Sequence, residues 1–218
     1  MVDAAILPVK RLDRAKGRLA PDFDDEQRLS IARALLGDAL DLCADSAFFS
    51  WWVVSDDPFV LETAGEHDLS TLRDAGSGLN DALALALTVV QHAAADSVTI
   101  VPADIPLARA EDLRDLLDTG ATSDVVVVPS ERDGGTNGLH LSSPGSLTPR
   151  FGAGSLAAHL AAAEDAALRC SILSLEGMSL DIDTPSDVEA LLLHERAAET
   201  KTGVLLEDLS RGAVPKPS

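Results

Sequence analysis

The sequence predicts an α/β domain: a mostly parallel, Rossmann-like sheet with helices on its faces. Two patterns carry that prediction. Apolar runs of four to seven residues alternate with longer stretches of helical period, as βα units around a parallel sheet require. The chain also has 218 residues, 46% of them apolar, which suits one domain with a proper core and falls short of two full-sized ones.

The elements follow in order. Residues 4–9 (AAILPV) form a first strand, and a helix spans 24–42. Residues 48–54 form a second strand ending at Ser55-Asp56-Asp57-Pro58, where Pro58 suits the first turn of a helix because its missing N–H is not needed there. A short strand at 69–72 leads into Gly76-Ser77-Gly78 and an Ala/Leu-rich helix at 80–94. Residues 98–101 and 125–128 are buried strands, with a helix after Pro106 between them. The segment RDGGTNG, 132–138, reads as a tight loop or hairpin because glycine dominates it. A helix begins near Ser155, a strand covers 171–175, and 180–183 leads into a last helix at Pro185. Strand alternation sets Asp181 and Asp183 on one face of that segment, with Leu180 and Ile182 on the other. By the same rule, one of the adjacent Trp51 and Trp52 faces the core. No repeat or linker marks a second domain, so 1–198 reads as one domain and 199–218 as a loosely held C-terminal tail.

Composition narrows the function. Lys+Arg number 17 against 36 Asp+Glu, a net charge of −19. Such a surface repels phosphate backbones, and five Phe, two Trp and no Tyr leave little for base stacking, so nucleic acid is a poor partner. No run approaches the roughly 18 apolar residues of a membrane span, and the first ten residues are too short for a signal peptide, which points to the cytoplasm. Cys43 and Cys170 make neither a disulfide framework nor a zinc site, and both read as buried thiols. Lysine occurs only at Lys10, Lys16, Lys201 and Lys216. An acid-rich, lysine-poor surface suits a salt-rich cytoplasm, where screening shortens the Debye length, and the chain reads as a halophile's.

Four segments carry chemistry. Residues 10–18 (KRLDRAKGR) hold five cations and one acid directly after the first strand, where a doubly wound sheet binds ligands. Positive charge concentrated there, in a chain otherwise anionic, points to a polyphosphate. Neither GxxxxGK[ST] nor GxGxxG occurs in this loop, which argues against P-loop and nicotinamide-dinucleotide binding. Asp104 follows a buried strand between Pro102 and Pro106, which restrict its backbone. Asp183 precedes a helix whose Thr184, Pro185 and Asp187 fit the N-cap, N1 and N3 positions, with Asp187 a capping acid. Two strand-end carboxylates facing a cationic loop suit Mg²⁺, which takes one or two carboxylates and completes its shell with water and phosphate. Gly134-Gly135-Thr136-Asn137-Gly138 and Phe151-Gly152-Ala153-Gly154-Ser155 read as an anion pocket at a helix N-terminus. His67, His92, His140, His159 and His194 show no ligand spacing and receive no role.

Ile6-Leu7-Pro8-Val9-Lys10 with Ala15-Lys16-Gly17-Arg18-Leu19, Val54-Ser55-Asp56, Gly78-Leu79-Asn80, Pro102-Ala103-Asp104-Ile105-Pro106, Gly135-Thr136-Asn137, Phe151-Gly152-Ala153-Gly154-Ser155 and Asp181-Ile182-Asp183-Thr184-Pro185 stand in the order expected of the 2-phospho-L-lactate guanylyltransferase family. The chain resembles that family over residues 2–195. The resemblance implies a single nucleotidyltransferase domain of the nucleotide-diphospho-sugar transferase type, serving coenzyme F(420) biosynthesis. It implies that GTP is joined to 2-phospho-L-lactate, giving lactyl-2-diphospho-5'-guanosine and pyrophosphate. Asp104 and Asp183 would hold Mg²⁺ and, with Lys16, form the catalytic set. Leu7, Pro8, Lys10, Lys16, Arg18, Gly78, Asn80 and Asp104 would bind the nucleotide. Thr136, Gly152 and Ser155 would bind the acceptor's phosphate and carboxylate. The family also suggests a homodimer. Phosphoenolpyruvate, 3-phosphoglycerate and a molybdopterin phosphate remain alternative acceptors.

Overall fold

A computed structural model describes residues 2–130, 132 and 134–212. Among them, seven strands form one sheet: β1 (Asp3–Pro8), β2 (Ser50–Ser55), β3 (Ser70–Arg73), β4 (Ser97–Ile100), β5 (Val125–Pro129), β6 (Thr136–Leu141) and β7 (Cys170–Ile172). Their order is β3-β2-β1-β4-β6-β5-β7. All neighbours run parallel except β6, which is antiparallel to both β4 and β5. The order reverses between β1 and β4, and the crevice outside their carboxyl ends is where such sheets bind ligands.

Strand alternation sorts the layers. In β1, Ala5 and Leu7 enter one core and Ala4 and Ile6 the other; in β5, Val126 and Val128 oppose Val125 and Val127 in the same way. Helices α1 (Asp25–Asp45), α2 (Pro58–Glu66) and α4 (Ala110–Gly120) cover the first face. Helices α3 (Leu79–His92) and α5 (Ser155–Asp165) cover the second. Burial on both sides explains why β5 is an unbroken valine run. Helix α1 starts where Asp24 accepts the Gln27 N–H at 2.8 Å and Gln27 returns a bond to the Asp24 N–H at 2.9 Å, a reciprocal cap. Trp51 is the core member of its pair and Trp52 is half-buried. Cys43 is buried, which pushes its thiol up to about 12. No helix among the described residues is long and apolar enough to cross a membrane.

Two expectations are corrected and a third is narrowed. Of the two forms expected for the glycine-rich segment, the hairpin is the one observed: residues 136–141 run on as the buried strand β6, antiparallel to β5. Gly138 is there for packing, since a Cβ would lie 2.9 Å from the Met178 Cε and 3.1 Å from Val128. Residues 180–183 join no strand, although the Ile182 N–H donates to the Asp104 carbonyl at 3.0 Å. The residues taken as a loose tail form α7 (Lys201–Gly212), docked on α1. Asp133, within the 132–138 segment, and 213–218 lie outside the described residues. The tail is ordered by a cap from another helix. Asp38 of α1 accepts the N–H groups of Lys201 (2.6 Å) and Thr202 (3.0 Å) and the Thr202 hydroxyl (2.6 Å), while Lys201 Nζ reaches Asp41 and the Gly37 carbonyl. Beneath these bonds Leu206 joins Ile31, Leu35 and α6 (Pro185–Leu193) residues Val188 and Leu191 in a third core cluster.

Asp38→Ala is expected to lower stability by about 1–3 kcal/mol, because it orphans three donors. Asp41→Ala, which removes an exposed ion pair, should change stability by less than about 1 kcal/mol; chemical denaturation distinguishes the two. His140 of β6 is buried beside the Thr99 hydroxyl, and burial, partly offset by Asp3, pushes its pKa down to about 4. As pH falls from about 6.5 to that value, the unfolded chain takes up a proton that the folded ring refuses, so stability falls. Thermal melts should show that decline, and His140→Gln should make it shallower without abolishing it, because burial lowers the His159 pKa to about 4 as well.

Candidate active site

The loop after β1 is two 3₁₀ turns, Leu12–Arg14 and Gly17–Leu19. Leu12 and Leu19 are buried anchors, and the Leu12 N–H donates to Asp57 at 3.0 Å. Between the turns Lys16 adopts a left-handed backbone, φ 57° and ψ 33°, uncommon for a residue with a Cβ. This directs its side chain inward, where it is only 8% exposed. Lys16 Nζ lies 2.8 Å from Asp104 Oδ2 and 3.0 Å from Asp183 Oδ1. Arg18, on the surface, stands 3.7 Å from Asp183 Oδ2.

Each carboxylate is delivered by its own anchor. Asp104 lies beyond the end of β4, tied by its carbonyl to Ile182. The Asp183 N–H donates to Asp187 Oδ2 at 3.1 Å, and Asp187 also accepts the Thr184 N–H and hydroxyl at 2.7 and 2.8 Å, as its capping role predicts. Asp181 turns elsewhere, accepting from Ser130 and Asn137. Burial opposes the Lys16 charge, but Asp104 and Asp183 outweigh it and hold its pKa above the ordinary lysine value. Burial likewise raises Asp183, but Lys16, Arg18 and Lys10 reverse that and hold it below the usual carboxylate range.

A cavity of about 320 Å³ opens over this triad. Its wall includes Lys10, Arg14, Lys16 and Arg18 against Asp104 and Asp183, so the mouth is cationic in a chain of net charge −19. A second cavity of about 230 Å³ continues from it past Pro8, Val9, Lys10, Arg14 and Leu79 to Gly76 and Gly78. Of the residues expected at the nucleotide, Pro8, Lys10, Lys16, Arg18, Gly78 and Asp104 lie on these walls. Leu7 does not: its side chain is fully buried in the core. Asn80 clamps the Phe151 backbone instead, accepting its N–H at 2.9 Å and donating to its carbonyl at 3.1 Å. Arg14, Leu35, Leu36 and Phe151 were not foreseen on the wall; Arg14 carried a signal in the cationic loop and Phe151 in the Phe151–Ser155 segment, while Leu35 and Leu36 carried none.

Because β6 runs against its neighbours, its first residue, Thr136, arrives at the carboxyl edge of the parallel strands, paired with Pro129. Thr136 and Ser155 are buried and joined, Ser155 Oγ donating to Thr136 Oγ1 at 3.1 Å, with His159 Nδ1 3.0 Å from the same oxygen. Gly152 and Gly154 are exposed with positive φ, and the space where a Cβ would stand is open. His159 was missed because its partners are distant in sequence.

The family model described as guanylyl transferase CofC like matches residues 3–210. The chain belongs to this guanylyl transferase family. Similar relatives include the phosphoenolpyruvate guanylyltransferase of Sphaerobacter thermophilus, 36% identical over 89% of this chain and 94% of that protein. The 2-phospho-L-lactate guanylyltransferase of Methanothermobacter thermautotrophicus is 36% identical over 89% and 86%. The 3-phospho-D-glycerate guanylyltransferase of Phenylobacterium zucineum is 32% identical over 94% and 95%. Among solved structures, a protein of Desulfovibrio desulfuricans assigned to the nucleotide-diphospho-sugar transferases superposes with a TM-score of 0.80 at 17% identity, covering 97% and 96% of the two chains. A cytidylyltransferase of Leptospira borgpetersenii gives a TM-score of 0.60 at 15% identity over 97% and 95%. The fold is thus that of nucleotidyltransferases, and the protein is an enzyme of nucleotidyl transfer.

Lys16→Met leaves two carboxylates facing each other without their cation and should lower stability at pH 7 by about 1–3 kcal/mol. Protonating either carboxylate relieves that repulsion, so the deficit against the wild-type protein should shrink as pH falls to about 4.5. Paired thermal melts at the two pH values test this.

Proposed function

We propose that this enzyme joins GTP to a phosphorylated three-carbon carboxylic acid, 2-phospho-L-lactate in first place, releasing pyrophosphate. The observation that carries the reading is the cationic cavity built by residues 10–18 against Asp104 and Asp183. Relatives named for 2-phospho-L-lactate, phosphoenolpyruvate and 3-phosphoglycerate support the acceptor class, since all three carry a phosphate and a carboxylate on three carbons. The narrower cavity beside Gly76 and Gly78 would take the nucleoside. Lys10, Arg14, Lys16 and Arg18 would gather the triphosphate in the wider one.

No step needs a nucleophile from the protein. A phosphate oxygen of the acceptor attacks the α-phosphorus in line, forming the new P–O bond as the bond to the β-phosphate oxygen breaks. Pyrophosphate carries away the electron pair toward the cationic loop. Such transfers depend on positioning and charge neutralisation. Thr136, Gly152 and Ser155 would hold the acceptor. Asp104 and Asp183 fit a divalent cation, because their oxygens already converge on one positive charge, the Lys16 ammonium. Such a pair suits Mg²⁺, which takes one or two carboxylates and completes its shell with phosphate and water. When bound, Mg²⁺ would neutralise phosphate charge, and Lys16 would then be free to turn from the carboxylates to the triphosphate.

The test is pyrophosphate release with GTP, ATP and CTP crossed against the three phospho-acids. GTP with one or more of them should be productive, and Asp104→Asn and Lys16→Ala should each lower the rate by about 10²–10³-fold. Turnover of GTP with none of the acids, or near-normal release by Asp104→Asn at saturating Mg²⁺, would refute the reading.

A further inference from the structure

We infer that His159 is a positioning residue that fills a lone pair of the Thr136 hydroxyl, so that this hydroxyl can only donate to the anionic acceptor. The inference rests on the functional reading above and deepens it.

The Arg150 backbone N–H lies 2.9 Å from His159 Nε2, and a backbone N–H can only donate, so Nε2 presents its lone pair. The ring is neutral, because burial and the nearby Arg150 charge push its pKa down to about 4. A neutral imidazole carries one proton, which therefore sits on Nδ1 and is donated to Thr136 Oγ1 across 3.0 Å. Ser155 Oγ donates to the same oxygen at 3.1 Å. Two incoming bonds occupy both lone pairs of the threonine oxygen. Its own proton must look for another acceptor, and among the described residues none accepts it.

That arrangement has a chemical preference. A rotating surface hydroxyl accepts or donates as its partner requires, whereas this one is held as a donor before any ligand arrives, which is the condition for effective electrostatic preorganisation. It suits an ionised carboxylate or phosphate, which only accepts, and disfavours an ester or amide that would bring a weaker acceptor. Phe151 steadies the device: its ring stands edge-on to the imidazole, 5.1 Å between centroids at 70°, and the residue also lines the cavity.

The test has two arms, both on the full chain. Long-range ¹H–¹⁵N NMR at pH 7 should show His159 protonated on Nδ1 and bare on Nε2. In steady-state assays His159→Phe should raise the KM of whichever phospho-acid is used by about 10–100-fold, the range for losing one bond to a charged group, and leave the KM of GTP unchanged. His159→Asn puts an amide donor near the Nδ1 position and should recover most of the loss. A bare Nδ1, equal changes in both KM values, or no recovery in a folded His159→Asn protein would overturn the inference. If His159→Phe does not fold, the tautomer and His159→Asn decide it alone. A wild-type protein that uses no phospho-acid would sink the functional reading together with the acceptor half of this one. A bare Nδ1 in an active protein would sink this one alone.

Discussion

The site depends on one ammonium group. Lys16 ties together three stretches of chain: the loop after β1, the turn after β4 and the segment before α6. Its partners lie 88 and 167 residues away in sequence. A charge this enclosed is tolerated only when its partners are close and well aligned, and here two carboxylates at hydrogen-bond distance meet the condition. The same group draws Asp104 and Asp183 toward one point, each already positioned by its own backbone anchor. The surrounding anionic surface gives the arrangement its meaning, for polyphosphate finds little other positive charge gathered over a cavity.

Topology supplies the rest. A sheet whose strands all ran parallel would present only strand carboxyl ends at the ligand edge. Reversing β6 brings a strand's first residue to that edge, and with it Thr136, between β4 and β5. The β5–β6 hairpin therefore places the start of a buried strand beside the Gly152–Ser155 turn. Helix α1 completes the wall with Leu35 and Leu36 on one side while α7 grips its other side through Asp38. The terminal helix therefore braces the cavity from behind without touching it.

Most of the fold is legible in the sequence because its information is local. The valine run of β5, the cap at Asp24 and the proline at the start of α6 each announce themselves within a few residues. What escapes is information held at a distance. Strand β6 hides behind glycines whose reason is the Met178 and Val128 packing across from Gly138. Helix α7 looks like a tail because its N-cap is Asp38, more than 160 residues earlier. The cationic loop and both site carboxylates stand out by charge and by flanking prolines. The environment of His159 does not, since its state is set by an Arg150 backbone N–H and by Thr136 on β6.

The left-handed backbone at Lys16 has a consequence for adaptation to heat. A glycine or asparagine would occupy that conformation with less strain, but it would leave Asp104 and Asp183 facing each other without their cation. The relief at the backbone is smaller than that loss, so selection for thermal endurance alone should keep a lysine here. The strain at position 16 persists because the contacts made by its side chain over-determine it.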